Sequence, residues 1–266
     1  MIIIGELING TRKSIKAAIE SRDAEFIANL AQRQVEAGAD YIDCNPGTVG
    51  EREVEDLKWL VATVQEAVDA PLSLDTPNAD ALASALDVYG QQQPPIINSI
   101  TLETERLEAL LPIVSGGQVR VIALALDDAG MPSAPGQRED IALRLVQALA
   151  EEGIADEDIF VDPVIPPLST DPSCGACILG AIAGIREGAP DCHITCGLSN
   201  ISYGLPNRGL LNRTFLVQAV AHGLDSAILD PLDRELMQTV YAAEALAGRD
   251  EWCAGYIAAH REGKLD

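Results

Sequence analysis

The sequence predicts an α/β protein folded as a (β/α)8 TIM barrel. Three observations carry this expectation. Apolar runs of four to six residues alternate with longer segments of helical periodicity. Eight such β–α units fit in about 250 residues, the usual length of this barrel. The runs are near-continuously apolar, as strands buried on both faces must be. An open doubly wound sheet would have fewer strands and a G-x-G-x-x-G turn after the first, but the turn here is "GELING".

Strand one is "IIIG" at 2–5. The linker "INGTRKSIKAAIESRD" adds a turn of its own before a helix near 22–37. "DYIDC" at 40–44 leads to a helix near 51–69, and "PLSLD" at 71–75 to one near 78–90. "PIINS" at 95–99 precedes a helix near 102–115, and "VRVIALAL" at 119–126 one near 139–152. "DIFVD" at 158–162 precedes 173–187, "HITCG" at 193–197 precedes 209–223, and "SAILD" at 226–230 precedes 233–248. The tail, 250–266, reads as one more helix. No linker rich in Gly, Pro or Ser divides the chain, so 1–266 reads as a single barrel domain with a short C-terminal helical extension.

Of the 266 residues, 47% are hydrophobic but only 4% aromatic, so the core is built from Ala, Leu, Ile and Val. A formal net charge of −23 repels phosphate backbones and argues against a nucleic-acid partner. No stretch approaches the ~18 to 20 apolar residues of a membrane span. The start, "MIIIGELING", has a short apolar run and no basic leader, so a cytoplasmic location without membrane association is expected. The cations are 4 Lys and 14 Arg, which suggests guanidiniums kept at fixed sites. Cys174, Cys177, Cys192 and Cys196 form C-x2-C-x14-C-x3-C, a spacing similar to a metal ligand set. Two of them open a predicted helix and one lies in a predicted strand, so they read as small buried hydrophobes and no bound metal is expected. A disulfide framework is not expected in a reducing compartment.

In such a barrel the active site lies where the strands end. Strand 1 supplies Glu6 and Asn9, strand 2 Asp43 and Asn45, and strand 3 Asp75. Strand 4 supplies Asn98 and Ser99, strand 5 Asp127 and Asp128, and strand 6 Asp162. Strand 7 leads to Ser199 and Asn200, and strand 8 ends in Asp230. Some of these have local duties. Asp230 before Pro231 reads as a helix cap, and Asp127 and Asp128 as turn formers. Thr76 or Asn78 can cap the helix after strand 3, which leaves Asp75 free. Ser99 can serve local turn bonding beside Asn98, and Asp162, before Pro163, points into the barrel mouth. None of the three histidines follows a strand, and no lysine does. A histidine base, a His-ligated metal and a Schiff base are therefore disfavoured. No nucleophile elbow or P-loop appears. Amides with two or three carboxylates suit a flat heterocycle bearing several N–H donors. A carboxylate is the natural partner of a 2-amino-pyrimidinone edge.

The segments "IIIGELING", "DYIDCNPG", "LSLDTPN", "IINS", "FVDPVI" and "GLSNISYGLPNRGLLNRTFL" occur in this order. From the first strand to about residue 250 the chain thereby resembles the pterin-binding methyltransferases, in particular those that act between methyltetrahydrofolate and a corrinoid/iron–sulfur protein. The resemblance implies a barrel that holds the pterin at the strand ends and commonly forms a homodimer. It implies transfer of the N-5 methyl of methyltetrahydrofolate to the cobalt(I) of a corrinoid (cobalamin) carried by a partner protein. Carried over, the pterin-binding carboxylates fall on Asp75 and Asp162, and the pterin-binding amide on Asn98. The residue that hydrogen-bonds near N-5 falls on Asn200. Gly197 and Ser199 fall in the same loop, and Arg208 matches a family arginine. Tyr203 stands where close relatives carry Gln, and Cys44 where they carry an apolar residue.

Asp191-x-His193 with Gly197 misses the corrinoid motif D-x-H-x-x-G by one residue, so the cobalt comes from elsewhere. The alternatives are a dihydropteroate-synthase-like pterin transferase, a non-catalytic folate-binding subunit, and a barrel lyase with Asp162 as base. The first needs cations for a pyrophosphate, and only Arg208 and Arg213 are placed for it.

Overall fold

The computed structural model describes residues 1–134 and 136–266. Its parallel strands are β1 (Ile2–Asn9), β2 (Tyr41–Asn45), β3 (Leu72–Asp75), β4 (Ile96–Leu102), β5 (Arg120–Asp127), β6 (Ile159–Asp162), β7 (His193–Ile194) and β8 (Ser226–Leu229). Hydrogen-bonded neighbours run β7-β6-β5-β4-β3-β2-β1-β8. The seam between β7 and β8 is closed by Asp225 N donating to Ile194 O (3.2 Å), Ile228 N donating to Cys196 O (2.9 Å) and a parallel bridge between Gly197 and Ile228. The result is the expected barrel of eight parallel strands, nearly closed.

Helices α1 (Lys13–Ser21) and α2 (Ala24–Glu36) follow β1, and α3 (Glu51–Ala67), α4 (Ala79–Leu86) and α5 (Thr104–Ser115) follow the next three strands. They continue as α6 (Gln137–Glu151), α7 (Cys174–Gly188), α8 (Arg208–His222), α9 (Arg234–Leu246) and the tail helix α10 (Ala254–Arg261).

Three expectations need correction. β1 does not stop at Gly5 but runs to Asn9, its register against β2 slipping between Gly5 and Ile8. The linker after it holds a complete helix, α1, ended by Arg22 in the left-handed conformation (φ 55°). β7 is two residues long rather than five, because the chain leaves the sheet to enter a 3-10 turn at Leu198–Ser202.

Strand alternation sorts the side chains into two cores. Outward residues such as Ile42, Leu74, Ile97, Val121 and Val161 pack against the helices in one large cluster. Inward residues Ile4, Tyr41, Ile96, Ile122 and Phe160 form a separate layer that fills the barrel, with Ile2 and Ile228 against it. His193 stacks on Phe160 at 4.6 Å, and the Tyr41 hydroxyl accepts from Arg120 at 2.8 Å. Burial of each large member contributes about 1.5–3 kcal/mol. The same layer gives the space above it a floor.

Among the described residues no helix is long and apolar enough to cross a membrane. The cysteines are free; Cys44, Cys174, Cys192 and Cys196 are buried, Cys177 and Cys253 exposed.

Candidate functional site

One pleat along four of the strands from the apolar layer, the inward residue becomes polar. Ile4 is followed by Glu6, Tyr41 by Asp43, Ile96 by Asn98 and Phe160 by Asp162. With Asp75 these five side chains line a cavity of about 400 Å³ at the strand ends. The other residues selected from sequence, Asn9, Gly197, Ser199, Asn200, Tyr203 and Arg208, line it as well. So do Thr11, Arg12 and Ile228, which were not selected.

The polar groups sit where solvent is scarce. Asp43 is 2% exposed; its Oδ1 accepts from Ser73 Oγ (2.7 Å) and Asn98 Nδ2 (3.2 Å). Burial, reinforced by the charge of Asp75, pushes its carboxyl well above the ordinary range. Asp75 accepts from Asn45 Nδ2 at 2.7 Å. Burial raises its pKa too, opposed by that hydrogen bond and by the positive charge of Arg106. Asp162, 7% exposed, accepts from the backbone N–H of Val164 at 2.8 Å. Its pKa is raised by burial to about 6. Glu6 is raised by burial as well, against the pull of Arg12, which donates to it at 2.8 Å. The cavity is therefore a cluster of acceptors that share few protein donors. A ligand rich in N–H groups would supply what they lack.

The loop after β7 forms the opposite wall. Asn200 is exposed, and its side chain makes no hydrogen bond among the described residues. It lies across Gly197: a Cβ there would come within 3.0 Å of Asn200 Nδ2, so glycine leaves room for the amide. Arg208 braces this turn. Its Nε donates to Ser202 Oγ (3.0 Å) and its Nη2 to Ser199 O (2.6 Å), while its guanidinium stands 5.9 Å from the Tyr203 ring. On the far side, the loops after β1 and β2 meet backbone to backbone. A Cβ on Gly10 would collide with the Pro46 carbonyl, and one on Gly47 with the backbone of Gly10.

Local duties are shared out differently from the sequence reading in several places. Asn9 lines the cavity, but its Oδ1 is spent on Thr11 N and Oγ1 (3.0 and 2.7 Å). Asp230 turns back on Leu232 N (2.8 Å), and the cap of α9 is Asp233, which accepts from Leu236 N. Asn78 caps α4, leaving Asp75 free as expected. Asp127 forms a turn with Ala129 N, whereas Asp128 anchors Thr104 at the start of α5. Ser99 does no turn bonding; it is held by Arg106 from α5. Arg12 and Arg106 escaped sequence reasoning because Arg12 lies well past the Gly5 strand end the sequence suggests and Arg106 lies inside a helix. Only the fold returns them to the strand ends. Among the described residues no three His, Cys, Asp or Glu side chains are grouped to hold a metal ion.

Comparison with known proteins gives a consistent picture. The pattern of the family described as pterin binding enzyme matches residues 5–230. The methylcorrinoid:tetrahydrofolate methyltransferase of Eubacterium limosum is 39% identical over 267 residues, 100% of this chain and 98% of that protein. The methionine synthase of Mycobacterium tuberculosis is 28% identical over 242 residues, 86% of this chain but 20% of that longer protein. Among solved structures, a Yersinia pestis dihydropteroate synthase in complex with a sulfonamide drug superposes with a TM-score of 0.68 at 18% identity, covering 92% of this chain and 94% of that one. A Vibrio fischeri dihydropteroate synthase does so with 0.67 at 16%, covering 93% of each. At such identities the likeness is one of fold.

Proposed function

The chain belongs to the pterin-binding enzyme family, and from that premise we propose that it moves a methyl group between tetrahydrofolate and a corrinoid held by a partner protein. The full-length similarity to the Eubacterium limosum methyltransferase supports the reading. The observation that carries it is the cavity itself. Asp75, Asn98 and Asp162 present acceptors and an amide on one side, and Asn200 presents an unengaged amide on the other.

In this reading Asp75 and Asp162 accept the 2-amino and ring N–H donors of the pterin, and Asn98 completes the edge. Near neutral pH Asp162 is mostly ionised, since its pKa is about 6. Incoming donors replace the water it lost on burial. The ring is thereby fixed with N-5 toward the mouth, so that the corrinoid approaches in line with the methyl group.

Asn200 then serves N-5. When methyltetrahydrofolate is the donor, N-5 takes a proton from solvent, and the electron pair of cobalt(I) bonds the methyl carbon. The N–C bond breaks, with its pair returning to nitrogen. In the other direction the N-5 pair bonds the methyl carbon of methylcobalt(III). The cobalt–carbon pair stays on cobalt, and the N-5 proton leaves to solvent. The Asn200 amide stabilises the charge at N-5 in either case. The relative's name is written with the methylcorrinoid first, which supports the second direction.

Pterin transfer from a pyrophosphate is less well served. Of the two guanidiniums lining the cavity, Arg12 is paired with Glu6 and Arg208 is committed to the Ser199–Ser202 turn. The homodimer implied by the resemblance belongs to the same proposal, and light scattering checks it.

The test mixes the protein, without oxygen, with methyltetrahydrofolate and cobalamin reduced to cobalt(I), and separately with tetrahydrofolate and methylcobalamin. Growth or loss of the methylcobalamin spectrum, slowed by Asn200→Ala, is the expected result. Absence of both reaction and folate binding overturns the reading.

A further inference from the structure

Between Asn98 and Ile100 the ladder from β4 to β5 slips by one residue: Asn98 faces Ile122, and Ile100 faces Ala123. Such a slip re-aims the side chains beside it and is a common device next to active sites. Ser99 sits in the slip. Arg106, half-buried on the first turns of α5, reaches back to it. Its Nε and Nη2 both donate to the Ser99 carbonyl (3.1 and 2.9 Å), and Nη2 also donates to Ser99 Oγ (3.2 Å). The neighbouring Asn98 carbonyl is held from the other side by Thr76 N at 3.0 Å. Asn98 is thus pinned on both flanks, with its side chain against Asp43 and its Cα in register with Asp75. The guanidinium that does the pinning is also a counter-charge for Asp75.

We propose that Arg106, which does not line the cavity, is a positioning residue for pterin binding: its planar fork aims Asn98. Its charge adds a second role, favouring the ionised form of Asp75 against the burial that raises that carboxyl. This rests on the folate reading above. The two roles separate by chemistry. Lysine keeps the charge but cannot form the two-pronged grip on one carbonyl. Glutamine keeps a donor but loses the charge. The groups facing Asp75 are Asp43 and Asn45 from β2, Glu53 from α3 and Arg106 from α5. Of these, Arg106 is the one that favours the ionised form by charge. Burial lowers the pKa of Arg106 itself, but a guanidinium still stays protonated across the working range.

The experiment measures tetrahydrofolate affinity by calorimetry against pH for wild type, Arg106→Lys and Arg106→Gln, with thermal melts alongside. Arg106→Gln is expected to bind about tenfold or more weakly at neutral pH. The acid limb of its pH profile should move to higher pH, since Asp75 then protonates more easily. Arg106→Lys is expected to bind more weakly with the limb unmoved. Wild-type affinity in both variants overturns the proposal. So does weaker binding by Arg106→Gln with the limb unmoved, which would make Arg106 a purely structural prop. If Arg106→Gln does not fold, the lysine variant decides, because unchanged affinity there removes the fork. Failure of the wild type to bind tetrahydrofolate would instead sink the folate reading, and this inference with it.

Discussion

The lower and upper halves of the barrel interior are built from the same strands, one pleat apart, and do opposite things. Ile4, Tyr41, Ile96 and Phe160 fill the lower half with close-packed side chains. Glu6, Asp43, Asn98 and Asp162, two residues further along each strand, line a cavity in the upper half. The lower half favours folding. The upper half opposes it, because carboxylates taken from water without full pairing cost several kcal/mol each. All four upper-half carboxylates, Glu6, Asp43, Asp75 and Asp162, have raised pKa values, and burial is the leading cause each time. The strands are thus a support at one end and a binding device at the other.

The contrast can be broken most severely from below. Phe160→Ala should cost about 3–5 kcal/mol in urea unfolding, because the filled layer cannot collapse onto the gap. Tetrahydrofolate binding should survive at temperatures where the variant is folded.

From above, Asp162→Asn should do the reverse. Asp162 titrates higher in the folded chain (about 6) than in the unfolded one (3.8). Its contribution to stability is therefore complete below about pH 4 and is lost as pH rises through about 6. The variant removes that loss. Without ligand it should gain up to about 3 kcal/mol over wild type between pH 4 and pH 8, while binding of tetrahydrofolate collapses. A variant less stable than wild type at pH 8 would show that the carboxylate is well solvated after all.

Asn200→Ala should slow methyl transfer by about 10²-fold with the melting temperature nearly unchanged, because the amide is exposed and unpartnered. An equal fall in stability would place Asn200 among the structural groups. The smallest effect is expected at Tyr203, which is 66% exposed. Tyr203→Gln should change the rate by about twofold or less.

The same contrast explains what could be read in the sequence. Fully buried parallel strands leave apolar runs that announce themselves, and a carboxylate or amide ending such a run, as in "LSLD" or "IFVD", has few reasons to be there except a ligand. Glu6, Asp43, Asp75, Asn98 and Asp162 accordingly line the cavity, whereas Asn45, Ser99, Asp127, Asp128 and Asp230 do not. β7 is shorter than "HITCG" suggests because only His193 and Ile194 pair continuously with β6, while Cys196 and Gly197 meet β8 through one hydrogen bond and an isolated bridge. The α1 helix was hidden by a short, Gly- and Thr-rich entry and a charged surface. Arg12 and Arg106 act through distance in space, along an ion pair and a fork to a carbonyl, and nothing in local periodicity marks either. Asp233 rather than Asp230 is the cap because α9 begins at Arg234, which makes Asp233 the residue directly before it.

The contact between Gly10 and Gly47 has a consequence for how this protein would look in a saturation-mutagenesis screen. Any side chain at either position must wedge apart two loops, the first of which carries Asn9, Thr11 and Arg12 into a wall of the cavity. Both positions would then register as intolerant as Asp162 or Asn200, although neither offers a functional group to the substrate. Tolerance profiles alone would merge the hinge pins of this wall with its chemistry. The two classes part only when folded yield and turnover are scored separately, since replacements at the glycines should lower the first and replacements at Asn200 the second.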